Sequence, residues 1–428
     1  MNRLAWGVVT GMIAAGAFAA GYLAHRNQWI PQSIRDAVRG QNVSTTTRPF
    51  GGDAFPLQER GMTSEEQDAI LALGYAQGSQ PLPASSGVKV FDPGLAYNGL
   101  NLYTSGHAPE AILMDMQGKT LHSWKCDFAT ALPRIPRPAH VREAATKSWR
   151  RAYLYPNGDL LAIFEGVALV KLDNTSTPLW TYMRGCHHDL SVMPNGDIHV
   201  LTSELRDGII DNGIARLNAN GEEQAYVSLL DAFRGSRYAT LLDWLPKQGD
   251  VLHVNTLNVL DGTHANANPA FRAGNILLSS LTLNTIAVIN MDTRIIDWAA
   301  TGLWRAQHDP ELLANGAMLV FDNRGAGTMS RVLEIDPQTQ QILWQYPNDG
   351  VEAFYSEWCG AAARLPNGNT LISETDNGRA LEVTAGHQIV WEFINPHQFE
   401  ENGVQMVAAL FEVVRLPADY AASWLAAR

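Results

Sequence analysis

Two histidines occupy matching settings. His188 and His308 each precede the asparagine of an Asn-Gly turn by seven residues, at Asn195 and Asn315, and each is followed by an aspartate, Asp189 and Asp309. A third histidine, His253, opens the segment HVNT with Asn255 two residues on, and the offset of seven before Asn157 and Asn367 falls on Arg150 and Gly360. If each turn belongs to one structural repeat, Arg150, His188, His253 and His308 converge on one axis. Neutral imidazoles in such a cluster can attack an electrophile or carry a proton, and a guanidinium can hold an anion. A hydrogen-bonded packing role is the plainer reading of any single one of these histidines. Imidazoles also suit Zn, Cu or Fe, with Asp189 and Asp309 orienting them. Nothing in the sequence fixes ligand distances, so no metal site is assigned. His187, His264 and His387 are weaker candidates, His387 lying in the turn of TAGHQIVW.

The elements that must position these residues follow from an internal repeat. Turns read YPNGD at 155–159, MPNGD at 193–197, RAGN at 272–275, LANG at 313–316 and LPNGN at 365–369. Each is flanked by short apolar strands, and Asn-Gly is a strong hairpin signal. The turn asparagines at 157, 195, 275, 315 and 367 are spaced by 38, 80, 40 and 52 residues, the 80 covering an insertion. Later strands finish at Trp124, Trp180, Trp298, Trp344 and Trp391. Repeats of this length with several strands each predict an all-β fold, a β-propeller. With an incomplete first unit at 88–124, the count is six blades. The strand-like segment 409–417 closes the ring by pairing in the first blade, removing open sheet edges. The insertion carries an apolar stripe over 229–245 and is expected to form a helix capping one face of the ring.

Acidic groups number 43 against 31 basic ones, a net charge of −12, which argues against nucleic acid as a partner. Cys126, Cys186 and Cys359 form no CxxC pair and are too few for a thiolate zinc site, though one disulfide remains open. Residues 4–24 are an uncharged apolar run of 21, long enough as a helix to cross a hydrocarbon core of about 30 Å. The run is read as a transmembrane anchor; Arg3 and Ala17-Phe18-Ala19 also fit a cleaved signal peptide. A polar linker with a short helix near 64–74 follows, Thr63 and Glu66 fitting a capping box. The expected organisation is 1–24 anchor or signal peptide, 25–87 linker and 88–428 propeller.

Over most of 88–420 the sequence resembles the bacterial arylsulfate sulfotransferase family. The matching pieces are DW at 243–244 followed by HVNT at 253–256, AQHDPELLANGAMLVFDN at 306–323, SRVLEID at 330–336, and RLPNGNTLISE at 364–374 leading to VWEF at 390–393. The resemblance implies a six-bladed propeller that moves sulfate between phenols through a sulfohistidine, without a nucleotide sulfate donor and without a cofactor. It also implies export, which with the apolar run places the protein in the inner membrane as a single-pass protein with its propeller in the periplasm. A membrane protein partner is compatible with that placement. His253, His308 and Arg331 fall on family active-site positions, with Asn255 and Asn323 beside them; His188 and Arg150 join them as substrate-binding residues. In the family the sulfate-carrying histidine comes from a later blade, but here the sixth-blade position is Gly360. Only His387 and His397 lie nearby, in turn or loop contexts. Either His308 or His253 takes the nucleophile's role, or the chain is a non-catalytic propeller that binds a partner protein or ligand. Cys359, beside Gly360, is an alternative axis residue.

Overall fold

The computed structural model describes residues 77–425, apart from 82, 84, 134, 136–142, 326–328, 349–353, 358 and 402–403. These residues form an all-β, propeller-like fold of antiparallel sheets. One sheet joins Leu410–Leu416, Leu100–Ser105, Glu110–Met114 and Thr120–Lys125 in that order. A second has eight strands, running from Ala152–Leu154 through the long Pro178–Val192 to Glu223–Ser228, with Gly249–Asp250 added in parallel beside Ile209–Leu217. Two sheets of four strands follow, Val254–Val259 to Ile295–Thr301 and His308–Leu312 to Ile342–Tyr346. A five-stranded sheet runs from Ala361–Arg364 to Ile389–Ile394 and adds Gly87–Phe91 at its edge.

Middle strands such as Leu160–Phe164, Ile276–Ser280 and Met318–Asp322 are buried at every position. Neighbouring sheets cover both of their faces, so these strands open on unbroken apolar runs, LLAIF, ILL and MLVF, instead of alternating ones. The first strands of successive sheets lie against one another: Pro178–Val192 touches Val254–Val259, which touches His308–Leu312, which touches Ala361–Arg364, which touches Leu410–Leu416. Side chains lock these contacts. Asp189 accepts from Leu257 N (2.7 Å), Thr256 Oγ1 from Asp309 N (2.9 Å), Asp309 from Ala362 N (3.1 Å) and Ser373 Oγ from Val413 N (2.9 Å).

The Asn-Gly turns and the tryptophans work as the repeat implies. Asn195 Oδ1 accepts from Asp197 N (3.0 Å) while Gly196 takes φ +89°, a left-handed geometry that costs glycine little. The last-strand tryptophans reach to the next sheet: Trp124 Nε1 donates to Gly158 O, Trp344 Nε1 to Ala385 O and Trp391 Nε1 to Met116 O, each at 3.0 Å.

Several expectations need correction. The insertion is not one helix over 229–245. Leu229–Arg234 is a six-residue α-helix ending at Gly235, and a 3-10 helix, Ala239–Trp244, follows. Leu229, Leu230 and Phe233 are packed into the core shared with Val254, Leu257 and Ile296. Residues 77–81, read as linker, are a strand paired with Val404–Ala408. All three cysteines are buried free thiols. The localisation is also corrected: no helix among the described residues is long and apolar enough to cross a membrane. The run 4–24 and the helix expected at 64–74 lie outside the described residues.

Candidate active site

The candidate residues meet where the first strands begin, and the backbone there is strained in a repeated way. His188, His253 and Asp309 adopt left-handed φ of +52°, +44° and +50°, a conformation costing a non-glycine residue roughly 1–3 kcal/mol. Each strained N–H is caught by a side-chain oxygen: His188 N by Glu165 Oε2 (2.9 Å), His253 N by Asp250 Oδ1 (2.9 Å) and Asp309 N by Thr256 Oγ1 (2.9 Å). For both histidines the same carboxylate also binds the ring, Glu165 Oε1 to His188 Nδ1 at 3.1 Å and Asp250 Oδ2 to His253 Nδ1 at 2.8 Å. Each carboxylate therefore offsets the strain and sets the ring's direction. Asp250 arrives on the short parallel strand Gly249–Asp250, and Glu165 sits in the tight turn between Leu160–Phe164 and Val167–Leu172.

The rings of His188 and His253 meet edge to face with centroids 5.1 Å apart, and His187 Nδ1 lies 2.8 Å from His188 Nδ1. Arg150 donates to Cys359 Sγ (3.5 Å) and lies over the Phe411 ring at 5.1 Å. His308 is held differently. Its Nδ1 faces two oxygens, Ala306 O at 3.0 Å and Asn323 Oδ1 at 2.9 Å. Asn323 can only present its oxygen, because its Nδ2 donates to Ser356 O (2.7 Å) and Cys359 O (2.8 Å). With two acceptors at Nδ1, the proton of the neutral ring belongs there. Nε2 of His308 then carries the lone pair, and it is buried with no hydrogen-bond partner among the described residues.

Burial keeps three of the imidazoles, those of His187, His188 and His308, neutral. Burial pushes His308 down to about 3, with Arg150 and His253 adding to the effect and the Asn323 bond opposing it. Burial likewise lowers His187 to about 4 and His188 well below the ordinary histidine value. Glu165 is pushed up to about 7 by burial, against the pull of Arg150 and the His188 N–H. Asp250 is also buried, but His253 outweighs that and holds it below the usual aspartate value. The Cys359 thiol is pushed up to about 12 by burial despite Arg150, so it stays protonated and is a poor nucleophile near neutral pH.

The structure thus brings together Arg150, His188, His253 and His308, which appear in one another's electrostatic surroundings, with Asn323 bonded to His308. Asn255 turns away to donate to Gln307 O (3.0 Å), bracing the residue before His308. Arg331 Nε pairs with Asp322, the residue before Asn323, at 2.8 Å, and its Nη2 donates to Leu303 O. Asp189 and Asp309 do not orient the imidazoles. They pin neighbouring strands and face Arg151, at 2.9 and 3.9 Å. His387 stacks on Trp344 and bonds Gln345 O, while His397 stacks on His107 at 3.6 Å. At Gly360 an added β-carbon would lie 2.5 Å from the Phe321 ring, so the space a side chain would need there is filled. Glu165 and Asp250 were not singled out from the sequence. Asp250 stands three residues before His253, a spacing that could have flagged it, whereas Glu165 shows only as an acid ending an apolar run.

Solved structures of similar outline include a protein of unknown function from Bacteroides caccae, 12% identical with a TM-score of 0.47 over 69% of this chain and 94% of that one. A streptogramin B lyase structure is 14% identical, with a TM-score of 0.42 over 78% of this chain and 97% of that one. The WD40 β-propeller domain of Doa1 is 14% identical, with a TM-score of 0.42 over 80% and 96%. No curated protein sequence matches the chain. Residues 151–396 match the family model described as Arylsulfotransferase (ASST), more than half of the 428 residues, and the chain belongs to that family.

Proposed function

We propose that the protein transfers a sulfuryl group from an aryl sulfate to a phenol through a sulfated His308, at the centre of a ring of six blades. The six-blade count takes the eight-stranded sheet as two blades sharing Pro178–Val192. In that strand the pairing shifts between Met183 and Cys186, where Gly185 turns the chain from one half to the other. Closure of the ring is supported by Leu410–Leu416 pairing with Leu100–Ser105 and by Trp391 bonding Met116 O.

The observation that carries the reading is the fixed tautomer of His308, with Nδ1 facing two acceptors and a buried, unpartnered Nε2. In the first step the Nε2 lone pair attacks sulfur, an N–S bond forms and the S–O bond to the aryl group breaks. The departing oxygen takes a proton from His253, whose ring is aimed by Asp250. Positive charge developing on the His308 ring is stabilised by its Nδ1–H bonds to Ala306 O and Asn323 Oδ1. Arg150 holds the anionic sulfuryl oxygens, and His188 faces the same space beside His253. In the second step a phenol oxygen attacks sulfur, its proton passes to His253 and the N–S bond breaks, regenerating neutral His308. Such a scheme is ping-pong.

Gly360, with Phe321 filling its surroundings, favours a second reading in which the chain keeps the family's fold and binds a ligand or partner without transfer. Incubation of the protein with p-nitrophenyl sulfate and a phenol separates the two. The transferase reading expects nitrophenolate release that His308→Ala abolishes and His253→Ala slows. Absence of release by the wild-type protein, or release that survives both changes, would sink it.

A further inference from the structure

We propose that Glu165, His187 and His188 form a binding site for one divalent transition-metal ion, of which zinc best fits the donor set. One ligand atom from each residue lies within 4.8 Å of the others, and all three residues are buried. His187 Nδ1 and His188 Nδ1 are 2.8 Å apart, and His188 Nδ1 is 3.1 Å from Glu165 Oε1. Successive residues of a strand ordinarily point to opposite faces. Here the left-handed backbone at His188 breaks that alternation, and two adjacent imidazoles present the same ring nitrogen to one point.

The three atoms meet through hydrogen bonds that need a proton in each contact, and one cation can take the place of those protons. Zinc bound tetrahedrally at about 2.0–2.1 Å from such atoms would hold them about 3.3 Å apart, a few tenths of an ångström wider than the two contacts seen. Two imidazoles and one carboxylate are a recurrent catalytic zinc set and leave a coordination position open. The charges around the site allow the ion: Asp250 acts on both Glu165 and His187, offsetting Arg150, which acts on both as well. Counting Glu165 and Asp250 as −1 each, Arg150 as +1 and the metal as +2 leaves the cluster at +1, which suits an anionic sulfate ester. The thiolate arrangement absent from the sequence is not needed, because the donors are imidazole and carboxylate.

The site stands on its donors and not on the transfer reaction, and the experiment keeps the two apart. The full-length protein is stripped with a chelator and titrated with Zn²⁺ by calorimetry, and with Co²⁺ by visible absorption, with no aryl sulfate present. The expected result is one ion per chain in both titrations, with affinity falling at least 100-fold in Glu165→Gln and in His187→Gln, and unchanged in His264→Gln. The Co²⁺ spectrum of the wild-type protein serves as the second readout if either variant fails to fold, and ligand-field bands of a nitrogen- and oxygen-bound ion are expected. No stoichiometric uptake by the wild-type protein, or uptake that folded Glu165→Gln and His187→Gln retain, overturns the site. Metal uptake without sulfuryl transfer would leave the site standing and remove the transferase reading; transfer by protein that binds no metal would do the reverse.

Discussion

Replacing Gly360 with alanine puts a carbon where the ring of Phe321 already lies. The new β-carbon would sit 2.5 Å from two ring atoms and 2.6 Å from a third, against about 3.5–4.0 Å for a favourable carbon–carbon contact. Phe321 is fully buried and packs on Phe354 with centroids 5.6 Å apart, so its ring cannot retreat without disturbing the core. Overpacking of this kind costs about 1–3 kcal/mol, and the depth of the overlap places Gly360→Ala in the upper half of that range. Phe321→Ala alone costs about 3–5 kcal/mol through lost contacts and a cavity. In the double variant the cavity accepts the methyl group, so the combined loss falls short of the sum by at least about 1 kcal/mol. Urea unfolding followed by tryptophan fluorescence measures all three. A Gly360→Ala variant within about 0.5 kcal/mol of the wild type, or strictly additive losses, would refute the reasoning. It would also reopen position 360 to a histidine; as the structure stands, Gly360→His does not restore the family's arrangement.

Other consequences can be checked alongside. Arg151 bonds Asp189 (2.9 Å) and Glu412 (3.0 Å) and lies 3.9 Å from Asp309. Arg151→Met leaves three carboxylates without their cation and should cost about 3 kcal/mol at pH 7.5. Burial and mutual repulsion already raise these acids, Glu412 to about 7, so the loss should shrink as pH falls; a pH-independent loss in thermal unfolding would contradict this. Asp250→Asn weakens proton delivery by His253, so it should slow transfer from phenyl sulfate more than from p-nitrophenyl sulfate, whose leaving group needs less help. Equal slowing of the two donors would remove His253 from the proton step. Stability against pH should show a plateau. Glu165, Glu311, Glu374 and Glu412, raised from 4.5 to about 7 chiefly by burial, bind protons in the folded state and add stability as pH falls from 7 to 4.5. His187, His308 and His397, lowered from 6.5 to about 4, 3 and 4, and His188, lowered well below 6.5, take protons first in the unfolded chain and remove stability as pH falls below 6.5. The two oppose each other down to about pH 4.5, and the histidines alone act below it, so thermal unfolding should move little above 4.5 and drop beneath it. A steady fall from pH 6.5 would contradict the balance.

Much of the scaffold was readable because its signals are local. An Asn-Gly turn is decided by two residues, and a strand-ending tryptophan by its place in the repeat; Trp124, Trp344 and Trp391 make equivalent bonds to the next sheet. His188 and His308 were readable through their common offset from those turns, and His253 through its HVNT segment. Their partners were not. Glu165 reaches His188 across 23 residues of chain; Asn323, which the family resemblance had placed beside His308, is the exception, brought there because neighbouring strands return side by side. Arg331 has a partner that its motif did not announce. Asp322, directly across the strand pair, takes its Nε. The histidine–aspartate pairs looked like an imidazole and its orienting acid, yet the left-handed turns at His188 and Asp309 send the aspartates to the neighbouring strands and Arg151.

The central claim is that Nε2 of His308 carries the sulfuryl group. Incubating the protein with ³⁵S-labelled p-nitrophenyl sulfate and no acceptor, quenching with alkali and mapping the peptides tests it directly. One label per chain on the peptide holding His308, discharged when a phenol is added before quenching, is the predicted result. Label on another residue, or transfer to phenol with no labelled protein at any time, would contradict the account.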